Sequence, residues 1–398
     1  MRILFASAHL PVELSRQAGH KTAFRHLEWL ARVHTVDLVC FCSEGDRDEP
    51  LGALQSMTRS VTVVPVSRGD RFLALACRPS LPVLVAARWR RRVATLLGEM
   101  VLRTRYDHVH LEWGQMACYA KVLGLGAVVG PPGSIYLHDI LSQWAGRRAA
   151  GSQRAMWRWE ARRTRRWEAG AYRLFRRIFV PSRKDAALIT ELAPRVEDKI
   201  SVLRLHFDRY SMRQTRRLSD SVRILFWGAL GRRENSEAAR WIVANVFPRL
   251  RKEGDRFRLT LAGSNPPEDL VRCSGPALEV PGFLPDPRSC FEAAHFAMLP
   301  LFEGAGVKVK VLECLAAGLP VLTTAVGAEG VEAAEEDGLY VLPSDPEAFV
   351  AAALRLAGSP EEYQAAVEGA SRWAGRQAAD SRRQFFSDLA ISAPAEGR

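Results

Sequence analysis

The sequence predicts an α/β fold of two Rossmann-like domains facing a central cleft, closed by a long C-terminal helix. Three observations carry this. Apolar stretches of strand length alternate with helical stretches from residue 2 to residue 203, a polar and basic link interrupts them at 208–220, and the alternation restarts at 222. Strand-helix-strand order of this kind implies parallel sheets with helices on both faces. Such sheets bind ligands beyond the carboxyl ends of their strands, so the loops at those ends should line the cleft.

In the first half, strands are expected at 2–8, 35–42, 60–66, 106–112, 134–137, 178–180 and 200–203. The first ends in a loop, 9–21, that contains His9 and Gly19, before a helix at 22–31. An irregular acidic loop follows at 44–49, then a basic helical segment at 81–105 with Arg88, Arg90, Arg91 and Arg92. From 142 to 177 the composition turns to Arg, Trp and Ala without proline, which reads as one or two long helices, and another helix is expected at 185–192. The second half places strands at 222–227, 258–262, 278–280, 296–300, 321–325 and 339–342, and helices at 236–251, 308–317 and 346–356. The tail, 361–389, is one amphipathic helix. The expected domains are 1–207, with 375–398 packing back on it, and 222–374, joined by a linker at 208–221.

A chain of 398 residues is long for one hydrophobic core, and 47% hydrophobic with 25% charged residues is an ordinary globular composition. The net charge of +12 favours an anionic partner: a nucleotide, a nucleic acid or a phospholipid surface. Seven cysteines without paired spacing suggest reduced, mostly buried thiols and a cytoplasmic protein. The apolar N-terminal run stops at Pro11, too short for a signal peptide, and no run is long enough to span a membrane.

Residues 301–332, LFEGAGVKVKVLECLAAGLPVLTTAVGAEGVE, stand out. A glycine turn (Gly304, Gly306) leads into a short helix whose first turn carries Lys308 and Lys310, where the helix dipole disfavours cations and open backbone N–H groups attract anions. Lys310 and Glu313 are neighbours on one side of that helix, either as a surface ion pair or as a site for an anion between loop and lysines. His108, His110 and Glu112 share one strand face, a pattern that can mark a metal, but only Glu112 would reach the strand end, so no metal is expected there. His138 ends an apolar strand beside Asp139. Asp46-Arg47-Asp48 spells a DxD in a surface loop with no suitable strand before it and is discounted. The segment 142–177, with Trp144, Trp157, Trp159, Trp167 and many arginines, reads as a core-facing stripe with solvated charges, as a peripheral contact with anionic lipid, or least well as a nucleic-acid surface.

The second half closely resembles the family 4 glycosyltransferases of the GT-B fold. The resemblance rests on ILFWGAL at 224–230, Asn235, LTLAGS at 259–264, VPGFLPD at 280–286 and GAGVKVKVLECLAAGLPVLTTAVGAEGV at 304–331. ILFASAHLP with Gly19, YDHVHLEWGQMACY at 106–119, LHDI at 137–140 and IFVPSRKDAALI at 178–189 look like the acceptor-side half of the same family.

The resemblance implies transfer of a sugar from a nucleotide-sugar donor to a glycan, lipid-linked or small-molecule acceptor, with retention and without a metal or other cofactor. It makes 1–207 the acceptor domain and 222–374 the nucleotide-sugar domain. It places Glu313 on the ribose, and Lys310 with Arg232 or Arg233 at the diphosphate, together with Gly304, Gly306, Val307 and Gly263. Gly282, Phe283 and Leu284 would face the base, His138 would lie beside the donor sugar, and Gly19 near the diphosphate. Glu112 and Gln115 are candidate acceptor contacts. Ala305 stands where the family has its first glutamate, and the G-x-G-x-x-x-K spacing of Gly304, Gly306 and Lys310 makes Lys310 the compensating cation. A nucleotide-sugar epimerase, an inverting enzyme of the same fold, or a non-catalytic nucleotide-binding protein remain the alternatives; nucleic acid is not expected as a partner.

Overall fold

The computed structural model describes residues 1–13, 18–43, 51–67, 80–148, 154–205, 216–303 and 307–389. The chain divides into two compact units, Met1–Arg204 with Arg382–Arg398, and Leu205–Ser381. The acidic loop with Asp46-Arg47-Asp48 lies outside the described residues, as do Gly304, Ala305 and Gly306.

The first unit is built on a seven-stranded sheet: β1 (Arg2–Ser7), β2 (Thr35–Ser43), β3 (Ser60–Val66), β4 (His108–Glu112), β5 (Gly133–Tyr136), β6 (Arg177–Val180) and β7 (Ile200–Val202). Its order is β3-β2-β1-β4-β5-β6-β7, with every pairing parallel. Helices on both faces bury central strands completely, which is why β1 reads as ILFAS after its exposed Arg2. β4 breaks that rule. Its five residues, HVHLE, are all buried although three can carry charge. Buried groups of this kind need partners, so β4 is where chemistry is to be sought.

The second unit contains β8 (Val222–Trp227), β9 (Phe257–Ala262), β10 (Leu278–Gly282), β11 (Phe296–Leu299), β12 (Val321–Thr324) and β13 (Leu339–Leu342). Its sheet is again parallel, in the order β10-β9-β8-β11-β12-β13. In both sheets the chain winds outward from one central pair, β1 and β4 in the first and β8 and β11 in the second. The connections leave in opposite directions there and open a crevice at the strand ends.

Several elements depart from expectation. The helix expected at 81–105 is two, Val83–Ala86 and Arg91–Arg103. The Tyr119 hydroxyl fills the break, accepting from Arg90 N and donating to Arg88 O, both at 2.8 Å. The helix expected at 236–251 runs as Arg233–Trp241, a π turn at Ile242–Val246 and Phe247–Glu253. Pro248, at the start of the last piece, has no N–H to continue the ladder. Short helices at Gly52–Met57, Glu268–Arg272 and Arg288–Ala293 are too brief for periodicity to reveal.

The basic link is not solvated throughout. Arg216 is buried and donates to the carbonyls of Phe291 (2.8 Å), Ala294 (2.7 Å) and Ala317 (2.9 Å), tying three segment ends of the second unit together. The final helix, Pro360–Leu389, anchors in the second unit through Tyr363, whose hydroxyl donates to His295 O at 3.1 Å, and Trp373, which donates to Glu332 O at 2.8 Å. From Arg382 onward it belongs to the first unit. There Asp388 accepts from Ser201 Oγ, and its carbonyl takes Arg177 Nε at 3.1 Å.

Candidate active site

In the second unit, the candidate residues gather where β8 and β11 diverge. β8 ends in Trp227 and Gly228, and a Cβ built on Gly263, just after β9, would fall 1.6 Å from Gly228 O. Only glycine lets these two strand ends approach so closely. A Cβ on Gly228 would in turn meet Lys310 Cδ at 3.4 Å, so the lysine stem packs against the open backbone.

The helix Val309–Ala316 brings Lys310 and Glu313 to this place. Lys310 donates to Asn235 Oδ1, and Asn235 Nδ2 donates to Ala229 O at 2.7 Å, so the amide is oriented at both ends. Glu313 is buried, and its Oε2 accepts from Trp227 Nε1 at 2.7 Å. The two side chains thus turn to different partners, which is not the arrangement of a surface ion pair. Lys308, the residue before the helix, is buried and lies 3.3 Å from Glu329 Oε2. Burial pushes the Lys310 ammonium down to about 8; Glu234 opposes this while Arg232 and Lys308 add to it. A desolvated cation among other cations is a place for an anion.

Arg233 is 75% exposed and pairs with Glu237 at 2.7 Å and Glu303 at 3.8 Å. Arg232 is exposed too, but its charge is the one that acts on Lys310, so it is the better placed of the two. Val307 packs under the second glycine loop, 2.8 Å from where a side chain on Gly330 would begin. Gly282 takes a left-handed conformation (φ 75°) at the end of β10, turning the chain into Phe283 and Leu284. Leu284 lines a cavity of about 190 Å³ with Pro281, Glu279, Thr260, Arg223 and Cys290.

In the first unit the site forms at the ends of β1, β4 and β5. Trp113, directly after β4, is a non-glycine residue at φ 70°, an outlier held by its N–H to Tyr136 O (3.0 Å). Its ring stacks on His138 at 4.0 Å and touches His9 at 4.7 Å. Gly19 lies in the first turn of the helix Ala18–Ala31 rather than in a loop, and a side chain there would meet Trp113 at 3.0 Å and His138 Nδ1 at 3.3 Å.

Glu112 is not an acceptor contact. It is fully buried, with Oε1 accepting from His26 Nδ1 (2.7 Å) and His110 Nε2 (2.9 Å) and Oε2 from His138 Nε2 (2.6 Å). Gln115 lies in the turn Gly114–Tyr119 with Oε1 buried and, among the described residues, without a hydrogen bond. His26, His110 and Glu112 place three ligand atoms within 4.8 Å of one another. Tetrahedral zinc would hold such atoms about 3.4 Å apart; the 2.7 and 2.9 Å seen here are hydrogen-bond lengths. His26 comes from another element, so no spacing rule along β4 could have found it. His9, Trp113 and Arg88, whose guanidinium lies 3.2 Å from the His9 ring, were likewise missed as site residues; a histidine or tryptophan just past a strand end was the available signal.

Burial drives the His108 imidazole down to about 3 and lowers His26, while the three imidazoles hold Glu112 well below the usual carboxylate range. His108 and His26 are neutral when folded and regain their ordinary affinity for protons near 6.5 when unfolded. Stability is therefore complete above pH 6.5 and falls as the pH drops toward 3. His108 alone should cost about 2 kcal/mol at pH 5. Thermal melts at pH 7.5 and 5 should differ by several degrees, less so in His108→Asn; equal melts would refute the neutral buried cluster.

Two parallel doubly wound units with candidate residues at both strand-end crevices are the arrangement of the GT-B fold. Residues 221–359 match the family described as glycosyl transferases group 1. No curated protein sequence matches it. Solved structures similar to it include the sucrose-phosphate synthase of Thermosynechococcus elongatus (16% identity, covering 97% of this chain and 99% of the other, TM-score 0.60). Others are Anabaena Alr3699/HepE in complex with UDP-glucose (14%, 98% and 99%, 0.59) and a protein described as a UDP-N-acetylglucosamine 2-epimerase from Listeria monocytogenes (13%, 100% and 99%, 0.59). At these identities the likeness is one of fold. No helix among the described residues is long and apolar enough to cross a membrane.

Proposed function

We propose that the protein transfers a sugar from a nucleoside-diphosphate donor, with retention and without a metal, to a glycan, lipid-linked or small-molecule acceptor. One observation carries this reading: Lys310 is desolvated beside the open Gly228 backbone with Arg232 and Lys308 adding positive potential. The departing diphosphate is the anion this arrangement suits, and fixed cations with helix N–H groups can stabilise it in place of a metal. Glu313, buried and oriented by Trp227, would take the ribose hydroxyls. The bound UDP-glucose of the Anabaena structure makes a uridine nucleotide the first donor to test.

Thermal-shift screening against UDP-, GDP-, dTDP- and ADP-sugars in EDTA should give one family of stabilising donors. Acceptor-dependent release of nucleoside diphosphate then supports transfer. Conversion of the sugar nucleotide without an acceptor would instead support an epimerase, and stabilisation that requires a divalent ion would remove the metal-free mechanism.

We also propose a lipid-facing surface on the first unit. In the helices Leu141–Arg148 and Arg154–Ala171, Trp144 and Trp157 pack edge-on at 5.5 Å under Arg148, and Trp167 packs on the core, which leaves Trp159 as the exposed one of the four. Trp159, 59% exposed, and Met156, 50% exposed, share the solvent side with Arg158, Arg162, Arg165 and Arg166, while Glu160 and Glu168 are buried. An exposed aromatic among arginines suits an anionic interface. Vesicles rich in phosphatidylglycerol should sediment the protein at low salt, and Trp159→Ala combined with Arg158→Glu and Arg162→Glu should abolish this. Sedimentation unchanged by those substitutions would exclude this surface.

A further inference from the structure

The Glu112 carboxylate can only accept hydrogen bonds, and three imidazole nitrogens face it. Each of those nitrogens must therefore carry a hydrogen. That settles His26 as protonated on Nδ1, and His110 and His138 as protonated on Nε2. The order continues upstream. His110 Nδ1, left bare, takes the hydrogen of the Ser134 hydroxyl at 2.7 Å, and Ser134 Oγ accepts from His108 Nε2 at 2.8 Å. The result is a chain of donors running one way, from His108 through Ser134 and His110 into Glu112.

The surroundings make this order rigid. His26 stacks on Phe385 of the final helix at 5.0 Å and meets Tyr136 at 4.7 Å, while Phe385 also closes over His110 at 5.5 Å. His138 is clamped between the Trp113 ring at 4.0 Å and Tyr136 at 4.8 Å. With Nε2 committed to Glu112, the other ring nitrogen, Nδ1, points toward the Gly19 backbone, 3.3 Å from the place a side chain there would occupy. A methyl group there would press on that nitrogen, and the His138 side chain keeps 6% of its surface open.

We infer that Glu112 is a positioning residue, which with His26 and His110 locks His138 in the tautomer that presents a bare Nδ1 to accept a hydrogen bond from a sugar hydroxyl. His138 then recognises a hydroxyl donor. A free histidine can donate from either nitrogen; this one keeps its Nε2–H on Glu112. The groups facing His138 are Glu112 and His26 from behind, Tyr136 at its edge, and His9 and His20 across Trp113, with Arg88 beyond His9. The role in sugar recognition rests on the proposed glycosyl transfer, whereas the locked tautomer does not.

The test begins with nitrogen-15 histidine NMR on the full chain at pH 7.5. His138 and His110 should each show a single Nε2–H tautomer, and His26 the Nδ1–H form that free histidine disfavours, with slowly exchanging ring protons. A rapidly exchanging mixture at His138, or protonation at its Nδ1, would overturn the inference without any variant being needed. In Glu112→Gln, a carboxamide NH₂ competes for His138 Nε2, so the single-tautomer signal should be lost. Turnover of the nucleotide sugar should fall at least tenfold in that variant while affinity for the bare nucleoside diphosphate is retained. Equal losses of both, or unchanged turnover with a disordered tautomer, would leave Glu112 a purely structural residue. If no nucleotide sugar is turned over by the wild-type protein, the glycosyl-transfer reading fails and the tautomer result stands by itself.

Discussion

Lys310→Met should lower kcat/KM for nucleotide-sugar turnover about 10²- to 10³-fold, the loss expected when one preorganised group facing a developing anion is removed. The same variant should be more stable. Desolvation holds the folded-state lysine near 8 instead of 10.5. The unfolded chain therefore binds the proton more readily between pH 8 and 10.5. Stability rises with pH across that window, and below pH 8 the folded state carries the full cost, about 3 kcal/mol. Methionine keeps the stem that packs on Gly228 and removes the buried charge, so activity and stability should move in opposite directions.

The ligand side of this prediction has a sign as well. A bound diphosphate raises the lysine pKa again, so binding near pH 8 to 9 takes up a proton. Nucleoside diphosphate affinity should fall by up to about tenfold per unit as the pH rises above 8. Calorimetry at pH 7, 8 and 9 in buffers of different ionisation enthalpy reads both effects. Flat affinity and no proton uptake would remove Lys310 from the diphosphate site.

The second large effect is at Glu313. Glu313→Ala should weaken nucleotide binding by about 10- to 100-fold, the value of hydrogen bonds to a charged group, and should leave inorganic diphosphate binding nearly unchanged. Trp227→Phe should give a smaller loss of the same kind, because it frees the carboxylate without removing it. Equal weakening of nucleotide and inorganic diphosphate in Glu313→Ala would show a general electrostatic role instead of a ribose contact. The truncation also leaves Trp227 Nε1 without its acceptor, which should reduce stability by about 1–3 kcal/mol.

The candidate site of the second unit was legible from local pattern because its residues are close in sequence. Lys308, Lys310 and Glu313 lie on one short helix, and spacing alone predicts that they share a region. What spacing did not show is which partner each would choose. Lys310 turns to Asn235, Glu313 to Trp227 and Arg233 to Glu237, and each choice depends on where β8 ends relative to that helix. The candidate site of the first unit was much less legible. Glu112 was read as a residue exposed at its strand end because a period of two says nothing about what lies above the strand. His26 from a helix and Phe385 from the far end of the chain cover that face.

By itself, then, the sequence determined two parallel α/β units, the strand ends that carry the candidate residues, and the grouping of Lys308, Lys310 and Glu313 on one short helix. Those follow from hydrophobic period, helix signals and local spacing, which are properties of neighbours in the chain. The tertiary structure decided that Arg216 is buried, that Trp167 packs on the core while Trp144 and Trp157 pack on each other, and that Glu112 serves three histidines. The Arg216 partners are 75 to 101 residues away, and two of the three histidines on Glu112 are 26 and 86 residues away. Burial and pairing of charge are set by which distant elements meet, and no local window contains that information.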